Sequence, residues 1–162
     1  MFTSRIYSTW MEDIQREKIT GILERVSPRG RVLDLGAGPG FLGRHVPGAV
    51  ALDLDLENLR RAVGHRVLGD ARRLPFKSSV FGTVFCIDSV HLFLDTRELR
   101  RVLSPGGEAV VTLFCSRYNR GSRLRELRRR VKGLRVKDEF FVGGRELDAV
   151  VVAERRASGR EG

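Results

Sequence analysis

The chain has 162 residues, 41% of them apolar, which suits one domain with an ordinary buried core. Thirty Lys and Arg against 20 Asp and Glu leave a formal net charge of +10, a balance that favours acidic or polyanionic partners without naming one. No run approaches a membrane span, and the N-terminal MFTSRIYSTWMEDIQREK has neither the apolar core of a secretory signal nor the acid-free character of a transit peptide, so a cytoplasmic protein with no membrane partner is expected.

Residues 9–26 read as a leading helix, with Ile14, Ile19, Ile22, Leu23 and Val26 near helical spacing. Pro28-Arg29-Gly30 ends it. Val32-Leu33-Asp34-Leu35 then suits a buried parallel strand that carries an acid close to its end. Gly36-Ala37-Gly38-Pro39-Gly40 reads as a glycine-rich turn, where missing side chains let the backbone approach a ligand closely. A helix from about Phe41 would aim its N-terminal amides at that ligand.

The turn is not a P-loop, because no Gly-Lys-Ser or Gly-Lys-Thr follows Gly40. It fits the dinucleotide fingerprint poorly as well, since its glycines alternate as G-x-G-x-G. Asp34 would repel a pyrophosphate, whereas it suits a ligand carrying an ammonium group. A zwitterionic ligand is therefore favoured over a diphosphate.

Further landmarks follow in order. Val50-Ala51-Leu52-Asp53 reads as a second strand ending in an acid, and residues 54–62 as a helix with Asp55 at its N-cap. Residues 66–71 read as a third strand with a Gly69-Asp70-Ala71 turn, followed by Leu74-Pro75-Phe76. Residues 80–87 form an apolar fourth strand that leads into Asp88-Ser89-Val90-His91. Val102-Leu103-Ser104-Pro105-Gly106-Gly107 reads as a turn before a fifth strand. In residues 123–132, Leu124, Leu127 and Val131 share one helical face, and the opposite face is strongly basic. That face is either plainly solvated, in contact with RNA, or in contact with another acidic partner. Residues 134–142 and 146–153 read as an antiparallel hairpin joined by Gly143-Gly144-Arg145. Cys86 and Cys115 fall within apolar strands as small buried hydrophobes, and no metal site is expected.

Together these segments resemble the motifs of class I S-adenosylmethionine-dependent methyltransferases. The first motif is written there roughly as (V/L)LD(L/V)GxGxG, and the GDA, LPF and PGG landmarks are most similar to the broad ubiquinone/menaquinone-biosynthesis-type ("methyltransferase type 11") branch. The likeness covers residues 30–115 well and the remainder in outline. It implies an α/β, three-layer Rossmann-like fold, with a mostly parallel seven-stranded sheet and a C-terminal antiparallel hairpin. Residues 1–156 would form a single cofactor-binding domain and residues 157–162 a frayed tail.

The resemblance also implies roles. Asp34 would help hold the ammonium of S-adenosylmethionine, and Gly36, Ala37, Gly38 and Gly40 would bring backbone to its methionine end. Asp53 would accept from both ribose hydroxyls, with Leu54 beside it; N-capping is its bland alternative. Asp70 would accept from the adenine amino group and the Ala71 amide would meet a ring nitrogen, unless Asp70 is only a solvent-facing turn residue. Asp88 belongs to the expected cofactor set too. Phe41 and Leu74 pack either near the cofactor or in the core.

On the acceptor side, His91 and Asp88 are the candidate catalytic residues, each with a structural alternative such as helix capping. The Asn/Asp-Pro-Pro-aromatic signature of many amino-group methyltransferases is absent, and no loop cysteine suits attack on a pyrimidine. Tyr7 and Trp10 are candidates for a lid. Three readings stand: transfer of the methyl to an O, N, S or C nucleophile of a small molecule, methylation of RNA or of a ribosome-associated protein, and a non-catalytic cofactor-binding partner subunit. S-adenosylhomocysteine would be the product of either enzyme, and a homodimer or partner subunit is expected to complete so short a chain.

Overall fold

The structure, a computed structural model, describes residues 2–89 and 96–157, with side chains from residue 8 onward. A long helix α1 (Phe2–Leu23) leads into β1 (Val32–Leu35), β2 (Val50–Asp53), α2 (Leu56–Arg61), β3 (Arg66–Leu68) and β4 (Phe81–Cys86). Then come α3 (Arg97–Val102), β5 (Leu103–Cys115), α4 (Arg120–Arg130), β6 (Arg135–Val142) and β7 (Leu147–Glu154). The seven strands form one sheet in the order β3-β2-β1-β4-β5-β7-β6. β1 to β5 are parallel, whereas β7 runs antiparallel to both β5 and β6. The order reverses direction between β1 and β4, which places a ligand crevice at the carboxyl ends of those strands.

Side-chain alternation along the strands produces the layers. Val84, Cys86, Val111 and Val151 face one side, where Leu99 and Val102 of α3 and Leu127 of α4 cover them. Phe85, Val110, Val150 and Val152 face the other side, against Ile19 and Ile22 of α1. Successive residues pointing to opposite faces, both buried, explain why these strands read as continuous apolar runs. Asp55 caps α2 as expected, accepting from the Glu57 amide at 2.8 Å.

Two expectations need correction. No full helix follows Gly40: a single 3₁₀ turn, Leu42–Arg44, stands there. Gly43 weakens any longer helix, and Pro47 with Gly48 stops it before β2 begins at Val50. The glycine turn is therefore not backed by a helix dipole. The Pro-Gly-Gly segment does not precede the fifth strand but interrupts it: Leu103 pairs with Phe81 and Glu108 with Thr83, so residues 104–107 bulge out. No described helix is long and apolar enough to cross a membrane.

Candidate cofactor and acceptor site

The loop after β1 is hooked onto β2. The amides of Gly36 and Ala37 both donate to the Leu52 carbonyl at 2.9 Å. Next, the Gly38 amide donates to Oδ2 of Asp53 at 2.8 Å, while Oδ1 of Asp53 accepts the Asp55 amide at 2.8 Å. Asp53 thus ties the glycine loop to the start of α2, and each of its oxygens retains acceptor capacity. Two glycines are required sterically. A Cβ on Gly36 (φ +74°) would lie 2.6 Å from Ser89 Oγ, and one on Gly40 (φ +82°) would lie 2.7 Å from the Ala62 Cβ. Ser89 itself donates to the Leu35 carbonyl at 2.8 Å, which seats the turn after β4 against the glycine loop.

A pocket opens on this loop. Asp34, Gly36 and Gly38 line one side, Gln15 and Ile19 of α1 another, and Ile87 stands at the end of β4. Asp34 is buried at 4% exposure and has no ion pair among the described residues. Burial first, and then the charge of Asp53, push its carboxyl up to about 7. A buried carboxylate in a pocket wall without a countercharge is electrostatically suited to a ligand cation.

The other expected site residues are distributed around this pocket. Leu54 is 66% exposed beside Asp53. Asp70 closes a turn on Arg72, accepting from its amide at 2.9 Å and from its guanidinium at 2.8 Å. Those bonds hold the Asp70 carboxyl below its usual value. Ala71 packs against the core and Leu74 is buried in it, whereas Phe41 lines the pocket. Gly40 serves contact with Ala62 rather than lining the pocket. His91 and the side chain of Tyr7 lie outside the described residues, and Trp10 on α1 is 37% exposed. Cys86 and Cys115 are free and buried, and burial pushes the Cys86 thiol up to about 12.

Asp88 follows Ile87 with a left-handed backbone, φ +53°. It belongs to a buried charge network that the sequence reading missed. Lys18 of α1, 1% exposed, reaches Asp148 at 2.8 Å, Asp88 at 3.1 Å and Glu146 at 3.4 Å. Thr112 donates to Asp148 Oδ2 at 3.0 Å and accepts the Asp88 amide at 3.0 Å. Burial pulls Lys18 down, but Asp148 and Asp88 outweigh it and hold the ammonium above its usual value. Burial, with Asp88 adding, pushes Asp148 up to about 7. One signal was available: Lys18 lies four residues from both Ile14 and Ile22, in the middle of the apolar stripe of α1.

Residues 33–111 match the family described as a methyltransferase domain. The chain is 35% identical over 105 residues to a demethylmenaquinone methyltransferase of Mycolicibacterium paratuberculosis, covering 58% of this chain and 46% of the relative. It is 32% identical over 117 residues to a malonyl-[acyl-carrier protein] O-methyltransferase of Legionella pneumophila, covering 58% and 41%. The chain thus spans less than half the length of these curated relatives. Among solved structures, a methyltransferase described as putative, in complex with the Trm112 methyltransferase activator of Haloferax volcanii, superposes with a TM-score of 0.77 at 17% identity, covering 91% of this chain and 93% of the other. A Thermotoga maritima S-adenosylmethionine-dependent methyltransferase gives 0.73 at 15% identity, covering 94% and 96%. These likenesses establish a methyltransferase-type fold.

Proposed function

We propose, from a chain that resembles class I S-adenosylmethionine-dependent methyltransferases in motif order and in fold, that it binds S-adenosylmethionine and transfers its methyl group to an O, N, S or C nucleophile. The carrying observation is Asp34, a buried carboxyl group with no countercharge among the described residues, in the wall of a glycine-lined pocket. In this reading Asp34 holds the ligand ammonium, Gly36, Ala37 and Gly38 admit its amino-acid end, and Asp53 accepts from the ribose hydroxyls. Leu54, Asp70 and Ala71 take the adenine end, which requires Arg72 to share Asp70. Bound S-adenosylmethionine supplies a methyl made electrophilic by its sulfonium, so the protein's part is orientation, worth roughly 7–11 kcal/mol of barrier in well-aligned cases. In this reading Asp88, held by Lys18 and Thr112, borders the acceptor side. The demethylmenaquinone methyltransferase relative favours a small-molecule acceptor, and two buried free thiols suit the cytoplasm.

The test is calorimetric titration with S-adenosylmethionine and S-adenosylhomocysteine across pH. A ligand ammonium favours ionised Asp34, whose carboxyl stands at about 7 in the free protein. Binding should therefore release a proton below that pH and tighten as pH rises from about 5.5 to about 7.5. Asp34→Asn should weaken binding and flatten the profile. Absence of binding to cofactor-free protein would overturn the reading.

A second reading, a subunit that needs a partner, is favoured by one surface. Leu68 on the edge strand β3, and Leu54, Leu56 and Val63 in the segment that leads from β2 through α2 to it, are each about half exposed or more. The structural neighbour bound to an activator points the same way. On this reading the isolated chain binds cofactor but turns over slowly until a second subunit covers that edge. A sedimentation mass of one chain together with full turnover on a small molecule would overturn it.

A further inference from the structure

We propose that the outer face of α3 and α4 binds the phosphodiester backbone of a single-stranded nucleic acid. Arg125, Arg129 and Lys132 follow one another at four- and three-residue spacing, opposite the buried Leu127 and Val131. All three are exposed, and none pairs with an acid among the described residues. The carboxylates nearby are already spent: Glu126 on Arg123 and Arg130, and Glu139 on Arg128. The row spans about 10 Å of helix at 1.5 Å per residue.

The row continues past the end of α4. Thr96 donates to the Lys132 carbonyl at 3.2 Å, which brings the start of α3 against that end. Arg100 lies against Gly133: a Cβ there would stand 2.9 Å from its Nη1. Arg100 is exposed and has no ion pair among the described residues. With Arg97, Arg101 and Arg155 it lines a cavity. Arg155 is pinned there by the Ser79 hydroxyl at 3.0 Å and the Arg100 carbonyl at 3.2 Å. Glu98 is the carboxylate of α3, and it is spent on Arg101 at 2.7 Å.

The other end of the row lies at the rim of the cofactor crevice. β5 is parallel to β4, so the segment joining it to α4 lies at the carboxyl ends of the strands. Tyr118 in that segment is 84% exposed, and the Arg117 guanidinium stands 4.8 Å from its ring centre. An exposed aromatic beside a file of cations offers a base-stacking platform continuous with phosphate contacts. An acidic protein is the rival ligand. A protein interface is anchored by large side chains packed near its centre; neither α3 nor α4 carries an exposed large hydrophobic residue, and Tyr118 stands beyond the end of the row of cations rather than at its centre. Phosphates need only the charges.

Binding on this face does not depend on methyl transfer and is measured without cofactor. Fluorescence anisotropy with labelled 12-nucleotide oligouridylate and oligothymidylate reads the affinity as salt is varied. Four engaged cations give a log–log salt slope of about −3 for a single strand. Arg125→Gln/Arg129→Gln should weaken binding by tenfold or more near physiological salt and flatten the slope by about 1.4. Arg60→Gln/Arg61→Gln on α2, which removes the same charge on the other sheet face, should change the affinity less than about twofold. Preference for oligouridylate would identify RNA as the source of the backbone, and equal affinity a nucleic acid of either sugar. Equal losses in the two double variants, a salt-independent affinity, or equal displacement by polyglutamate would each overturn the proposal.

Discussion

Lys18→Met is expected to lower the unfolding free energy by about 3–5 kcal/mol at neutral pH, the range for removing one partner of a buried ion pair. The ammonium is 1% exposed and faces Asp148, 0% exposed, together with Asp88 and Glu146. Its loss strands two mostly buried carboxylates 60 residues apart in sequence, on the turn after β4 and on β7. Asp148 already stands at about 7 in the folded chain, against 3.8 as its ordinary value. A carboxyl raised by folding stabilises the protonated native state, so its contribution is present at acid pH and is lost as pH rises from about 4 through about 7. Without Lys18 the Asp148 value rises further, and the loss extends to higher pH. Urea denaturation at acidic, neutral and basic pH reads this directly. Lys18→Met/Asp148→Asn should recover part of the stability, since it removes the charge left unpaired. A loss under about 1 kcal/mol at neutral pH would mean the network is open to water. Cofactor binding should weaken in parallel, because Gln15 and Ile19 of the same helix line the pocket.

Asp53→Ala should weaken S-adenosylmethionine binding by about 100-fold or more, with each factor of ten worth about 1.4 kcal/mol. Two losses combine. The Gly38 and Asp55 amides lose their acceptors at 2.8 Å, which frees the glycine loop from the start of α2. The proposed ribose contacts go with them. Asp53→Asn keeps one acceptor oxygen and should fall between wild type and alanine. A second readout separates charge from shape: the charge of Asp53 helps push Asp34 up, so either substitution should move the pH dependence of binding to lower pH. Affinity within about threefold of wild type in the alanine variant would overturn the assignment of Asp53.

The parts legible in the sequence are those set by local rules. Alternation of faces wrote β1, β4 and β7 as apolar runs, and glycines that must turn tightly wrote the loop between Leu35 and Phe41. The Asp55 cap and the hairpin of β6 and β7 depend on neighbours only a few residues away. Even the local reading slipped where two rules competed. The glycine turn suggested a helix after Gly40, yet Gly43, Pro47 and the short distance to β2 leave room for one 3₁₀ turn.

By itself, then, the sequence determined the succession of strands, the glycine loop, and the acids at or next to the ends of β1 and β2, because propensity, capping and periodicity act over a turn or two of chain. Only the tertiary structure decided which charges meet. Lys18, Asp88, Thr112 and Asp148 span 130 residues and are joined by the packing of α1 across the sheet, and the row of cations on α4 is extended by Arg100 only because α3 abuts its end. Electrostatic energy depends on separation in space and on burial, and neither is written in spacing along the chain.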